Sequence, residues 1–149
     1  MVQQSDMEIA ERLQRRRARL VILLAVMFVA GQAVYFGNMQ DPERLVDQVR
    51  VSAWFVWALA LLLLLATGGG LFRSASVRAL LNDEGTRAHR ASALAFGFWA
   101  AMAGCILLYI VTMFEAVGAR EAVHIVLSFG IGAALLRFGM LERRSLRGI

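Results

Sequence analysis

Residues 91–114 read ASALAFGFWAAMAGCILLYIVTMF, an apolar run that contains no charged side chain. At a rise of about 1.5 Å per residue, a helix of this length crosses the hydrocarbon core of a bilayer, which is about 30 Å thick. Three further apolar runs occupy residues 20–36, 51–72 and 122–140. The sequence therefore predicts an all-α fold, an integral membrane four-helix bundle that forms a single transmembrane domain over residues 1–149.

The composition of the chain agrees with lipid as its main solvent. Hydrophobic residues make up 59% of the 149, and the mean hydropathy is +0.61, whereas soluble domains are about 45–50% apolar. The formal net charge is +5, which in a soluble domain would indicate nucleic acid. Here the basic residues flank the apolar runs and are interpreted as topology signals, so no nucleic-acid partner is predicted. The single cysteine excludes an intrachain disulfide and a zinc site of paired cysteines.

The segments that flank and separate the apolar runs are alternately rich and poor in arginine along the chain. The positive-inside rule places the arginine-rich segments in the cytoplasm. Both termini are then cytoplasmic, with a helical extension at 6–19, a loop at 73–90 and a tail at 141–149. We interpret the first run as a retained span of a bacterial inner-membrane protein rather than a cleaved signal peptide. The inner side has Arg12, Arg15, Arg16, Arg17, Arg19, Arg73, Arg78, Arg87, Arg90, Arg137, Arg143, Arg144 and Arg147, and the outer side has Arg44, Arg50 and Arg120.

Some of these inner arginines are candidate contacts with lipid or with a protein partner. Basic residues beside a span attract the anionic head groups of the cytoplasmic leaflet. We therefore expect the lipid bilayer and its anionic head groups to be partners of the chain. The candidate contact residues are Arg15, Arg16, Arg17, Arg87 and Arg90.

Small residues recur at helical spacing in the third and fourth runs. Such positions let helix backbones approach closely inside a membrane. We therefore predict that these two spans pack together, and the same faces could also form a homo-oligomer. The predicted packing residues are Ala93, Gly97, Ala101, Gly104 and Cys105 on the third span, and Ser128, Gly130 and Gly132 on the fourth.

A small group of polar residues lies near the predicted outer boundary. Glu121 and His124 are three residues apart at the start of the fourth span, and Glu115 lies at the end of the third. Two carboxylates and an imidazole could bind an ion or ligand, or could relay protons. The same three residues also fit an ordinary wet interface at the membrane surface.

Residues 80–87, LLNDEGTR, directly precede the third run. This segment resembles an Asp-Glu-Arg-type element before a transmembrane helix in a group of small uncharacterised prokaryotic four-helix membrane proteins. Gly85 departs from the arginine that this pattern has, and the resemblance implies no activity. From local chemistry, Gly85 is predicted to end a short helix and Thr86 to cap the third span.

The sequence has a basic inner face and small-residue packing faces, but it contains no recognisable catalytic set. We therefore predict a non-enzymatic membrane protein, a scaffold, accessory subunit or sensor-like partner of another protein. No catalytic residue, metal site or cofactor is predicted. The alternative is a small oligomeric transporter or channel that uses the group of Glu115, Glu121 and His124.

Overall fold

The computed structural model describes residues 15, 16, 18–32, 45–68 and 84–145. In this part of the chain all regular structure is helical and no strand occurs. The four helices are α1 (Ala18–Gln32), α2 (Leu45–Thr67), α3 (Glu84–Val111) and α4 (Ala119–Ser145). The prediction of an all-α fold is confirmed.

Helices α2, α3 and α4 are long and apolar enough to cross a membrane. They contain 23, 28 and 27 residues, which correspond to about 35–42 Å of helix. Helix α1 is also apolar, but its described part is shorter. The predicted extension before residue 15 and the end of the first predicted span, residues 33–36, lie outside the described residues.

Helices α2 and α3 begin several residues before the apolar runs that predicted them. Helix α3 starts at Glu84, a carboxylate that suits the positive end of the helix dipole. Gly85 and Thr86 therefore lie in its first turn, and the prediction that they separate two helices is wrong. Residues 84–90 likewise belong to α3 rather than to a loop. Helix α2 ends where Gly68 has a φ of 64°, a left-handed conformation that favours glycine.

Helix α4 is the centre of the bundle, because it contacts each of the other three helices. It is the most buried of the three long helices, and its buried residues occupy a broad arc, about half of the helix circumference. The core combines Leu135 and Phe138 of α4 with Phe28 of α1 and with Leu61 and Leu65 of α2. The polar side chains considered below all lie on or beside this central helix.

Helix α3 packs against α4 with its small residues inward. An ideal Cβ on Gly97 would lie 2.7 Å from the Cβ of Ala134 and from the carbonyl oxygen of Gly130. Only glycine therefore fits this crossing without moving a neighbour. Gly104 is also buried and lies opposite Phe129. Gly97 faces Ala134 and Gly104 faces Phe129, so residue numbers increase along α3 while those of the contacting residues on α4 decrease. The two helices are therefore antiparallel.

Helix α1 lies antiparallel to α4 along another side. Ile22 contacts Gly139 near one end of the pair, and Val29 contacts Gly132 near the other. The two glycines let the branched side chains of α1 approach the α4 backbone closely.

The ends of the bundle differ in charge. At the end that we call the basic end, α1 and α3 begin and α4 terminates. At the opposite end, which we call the turn end, Gln32 closes the described part of α1 and residues 112–118 connect α3 to α4. The described arginines at the basic end are Arg15, Arg16, Arg19, Arg87, Arg90, Arg143 and Arg144.

Candidate functional site

Three polar side chains meet inside the bundle near the turn end, with Gln32 at their centre. The Nε2 of Gln32 donates a hydrogen bond to the carbonyl oxygen of Phe28, 2.9 Å away and one turn earlier on α1. Because that carbonyl can only accept, it fixes the orientation of the amide. The Oε1 of Gln32 consequently points at α4 as an acceptor.

Two side chains of α4 donate to this oxygen. The Nε2 of His124 lies 2.7 Å and the Oγ of Ser128 lies 3.0 Å from Oε1 of Gln32. The orientation of the amide also assigns the proton of His124, because Nε2 must carry hydrogen to donate to an oxygen that only accepts. Both α4 residues are buried. The Oε1 atom of Gln32 on α1 thus accepts hydrogen bonds from residues on two successive turns of α4.

The third helix of this region contributes an aromatic ring. The ring of Trp54 on α2 lies 4.0 Å from the His124 ring, centroid to centroid, with 30° between their planes. The indole Nε1 of Trp54 is buried and has no hydrogen-bond partner among the described residues. Trp54 therefore contacts His124 through its ring. Helices α1, α2 and α4 all meet at His124.

The three residues predicted as an ion-binding group are placed in different environments. Glu115 is exposed in the connection after α3, Glu121 is half-buried on the first turn of α4, and His124 is buried. Within the described ranges, no group of three or more His, Cys, Asp or Glu side chains could hold a metal ion. The structure does not bring this trio together as a metal-binding set, because His124 turns inward to Gln32.

A second polar contact links α3 and α4 at the basic end. The Nδ1 of His89 lies 3.5 Å from Oε1 of Glu142, whose side chain is only 5% exposed. The same two helices also meet nearer the middle of the bundle. There the guanidinium of Arg137 on α4 lies 5.8 Å from the centre of the Phe96 ring on α3, a distance at which a cation and an aromatic face attract each other. Polar groups therefore connect α4 to its neighbours at both ends.

The predicted small-residue face divides between two partners of α4. Ala93, Gly97 and Gly104 are buried, and Ala101 lies against Gly130. Two residues of the predicted fourth-span set, Ser128 and Gly132, face α1 instead. Cys105 is exposed on α3.

Four of the five predicted contact arginines are described, and they lie at the basic end. Arg15, Arg16 and Arg87 are exposed, whereas Arg90 is half-buried beside Gly68 at the end of α2. Arg17 lies outside the described residues.

Sequence reasoning missed Gln32, Trp54 and Glu142. Gln32 is a polar residue at the end of an otherwise apolar run, and a polar group in such a run normally faces protein rather than lipid. That signal could have identified Gln32 as an internal residue. Nothing in the sequence identified His124 and Ser128 as the residues to which it bonds.

Comparisons with protein-family models, with curated proteins and with solved structures found no match to this chain. The function of the chain is therefore inferred from its own residues.

Proposed function

We propose that this chain is a multi-pass protein of the bacterial inner membrane that acts without chemistry of its own, as a scaffold or accessory subunit for another membrane protein. Its four helices cross the bilayer, and its basic end faces the cytoplasm. The observation that carries the proposal is the use of polar side chains inside the bundle. His124 and Ser128 of α4 both donate to the amide oxygen of Gln32 and so hold α4 against α1.

The distribution of charge supports the orientation. Arginines from α1, α3 and α4 share the basic end, although they are far apart in sequence. The described charges near the turn end are mixed, since Arg50 and Arg120 are basic and Glu115 and Glu121 are acidic. An excess of arginine beside spans favours the cytoplasmic side.

The internal polar contacts support a rigid framework. Hydrogen bonds between transmembrane helices contribute about 0.6–2 kcal/mol each, and a fixed set of them selects one arrangement of the helices. In this bundle they join α4 to α1 near the turn end, while His89 and Glu142 join α4 to α3 at the basic end. A framework of this kind suits a protein that presents a constant surface to a partner.

The outward face of α3 is the surface that we propose for that partner. Because α3 packs on α4 through small residues, its large side chains face away from the bundle. Trp99 and Tyr109 are both 70% exposed, and Met102 and Ile106 lie on the same side of the helix. Aromatic residues and methionine are enriched in protein interfaces, and we propose that a transmembrane helix of the partner packs on this face.

Photo-crosslinking in native membranes tests the proposal. A photoreactive phenylalanine analogue replaces Trp99 on α3, and a matched variant carries it at Phe55, a lipid-accessible position on α2. We expect a discrete protein adduct from position 99, and lipid adducts alone from position 55. An adduct of twice the 16.4 kDa chain mass would identify the partner as a second copy.

Two results would contradict the proposal. One is a chain that forms lipid adducts alone at both positions and remains a monomer in native membranes. The other is ion or solute flux in proteoliposomes that disappears in His124→Ala, because flux of that kind requires a transporter.

A further inference from the structure

A groove between α1 and α4 opens on the surface at the basic end. Its volume is about 530 Å³. Three arginines line it: Arg15, which lies just before α1, Arg19 on α1 and Arg143 on α4. Farther along α1, the wall changes to the aliphatic side chains of Ile22, Leu23 and Val26. The groove is therefore cationic toward the basic end and apolar toward the middle of the bundle.

The polarity of this groove follows from helix periodicity. Positions 15, 19, 22 and 26 are three or four residues apart, so they form one stripe along α1 and the helical residues just before it. The stripe begins with guanidinium groups and ends in aliphatic groups. Arg143 lies across the groove on the antiparallel helix, which brings cations from two helices to the same place.

We infer that this groove binds one anionic phospholipid of the cytoplasmic leaflet, with its phosphate among the three guanidinium groups and an acyl chain along the aliphatic wall. The inference rests on the proposed membrane insertion and deepens it by assigning a site. Guanidinium groups form paired hydrogen bonds with phosphate oxygens. An anion between these like charges also lowers their mutual repulsion.

The two halves of the groove together identify the ligand as a lipid. A free phosphate would use the arginines but leave the aliphatic wall unoccupied. An acyl chain covers Leu23 and Val26, which are 55% and 54% exposed in the bundle itself. Basic pockets between transmembrane helices on the cytoplasmic side are typical sites for anionic head groups. The bound lipid would hold the start of α1 against the end of α4.

Native mass spectrometry of the full chain tests the site. The chain is reconstituted in nanodiscs that contain equal amounts of dioleoyl-phosphatidylglycerol and dioleoyl-phosphatidylcholine, then released into mild detergent and weighed with its bound lipid. These two lipids differ only in the head group. We expect the unaltered chain to retain one phosphatidylglycerol in preference to phosphatidylcholine.

Charge-matched variants separate the site from the general basic character of this end. Arg19→Gln with Arg143→Gln removes two groove arginines, and we expect phosphatidylglycerol retention to weaken about 30-fold. Arg16→Gln with Arg144→Gln removes the same charge from neighbouring positions that are exposed but do not line the groove. This control should retain the lipid as the unaltered chain does.

A second pair of variants tests the aliphatic wall and leaves every arginine in place. Leu23→Trp fills the groove, whereas Leu20→Trp adds the same ring at an exposed position of α1 outside it. We expect lipid retention to fall in the first variant only. This pair also keeps the inference testable if the double arginine variant does not fold.

Several results would overturn the inference. They are equal losses in both arginine pairs, no loss in either pair, equal retention by the two tryptophan variants, or no preference for phosphatidylglycerol in the unaltered chain. The nanodisc presents both leaflets, so the result does not depend on orientation or on a protein partner. A chain that failed to enter nanodiscs at all would instead contradict the membrane insertion on which both proposals rest.

Discussion

Gly97→Ala should destabilise the bundle, because there is no space for a methyl group where α3 crosses α4. The added Cβ would lie 2.7 Å from the Cβ of Ala134 and 2.7 Å from the carbonyl oxygen of Gly130. Carbon atoms in contact normally stay about 3.5–4.0 Å apart, so the helices must separate by about 1 Å. Neither neighbouring atom can swing away, because one belongs to the backbone and the other is bonded directly to it. Overpacking of this kind costs about 1–3 kcal/mol.

Gly104→Ala is the matched control on the same face of α3. Its Cβ would lie 3.8 Å from the Cβ of Phe129, which is an ordinary contact. Both substitutions gain similar helix propensity, about 0.5–1 kcal/mol, so the difference between them isolates the overlap. Unfolding is measured by circular dichroism in mixed micelles of a mild detergent and sodium dodecyl sulfate. The free energy of unfolding of Gly97→Ala should be about 1–3 kcal/mol lower than that of Gly104→Ala. Equal stability of the two variants would refute the close crossing.

Two other predictions concern the polar network and the single cysteine. Gln32→Leu should lower the free energy of unfolding by about 1–3 kcal/mol in the same micelle assay, because it removes the acceptor shared by His124 and Ser128. Ser128→Ala should cost about 0.5–1 kcal/mol alone and nothing further when added to Gln32→Leu, whereas additive costs would contradict a shared acceptor. Cys105 is exposed on α3 but should resist a water-soluble maleimide in liposomes until sodium dodecyl sulfate is added, because the polar reagent does not enter the hydrocarbon core of the bilayer. Gly118→Cys in a Cys105→Ala chain should react at once, and rapid reaction of Cys105 itself would argue against a lipid-facing position.

The long apolar runs were predictable because hydrophobicity over a span is a property of the sequence alone. Residues 91–111 of the 91–114 run form the greater part of α3, and the close approach at Gly97 follows from the absence of a side chain. The start of α3 at Glu84 was not predictable from hydropathy. Its first turns, residues 84–90, are polar and extend the helix on the N-terminal side of the apolar run.

The polar network was harder to predict, because hydrogen-bond partners depend on which helices become neighbours. His124 was recognised as unusual, but sequence proximity associated it with Glu121 and Glu115. In the structure it bonds to Gln32, which is 92 residues away in sequence. The antiparallel packing of α1 on α4 creates that contact, and no local pattern encodes it.

Cysteine labelling in intact bacterial cells tests the central claim, that the chain crosses the membrane four times with its basic end inside, most directly. Single cysteines are placed in a Cys105→Ala background at exposed positions near the described ends of the crossings. A membrane-impermeant maleimide is applied before and after lysis. We predict labelling of intact cells at Gln48→Cys and Gly118→Cys, and labelling only after lysis at Arg16→Cys, Glu84→Cys and Ser145→Cys. Any other alternation, or labelling of all five positions in intact cells, would contradict the claim.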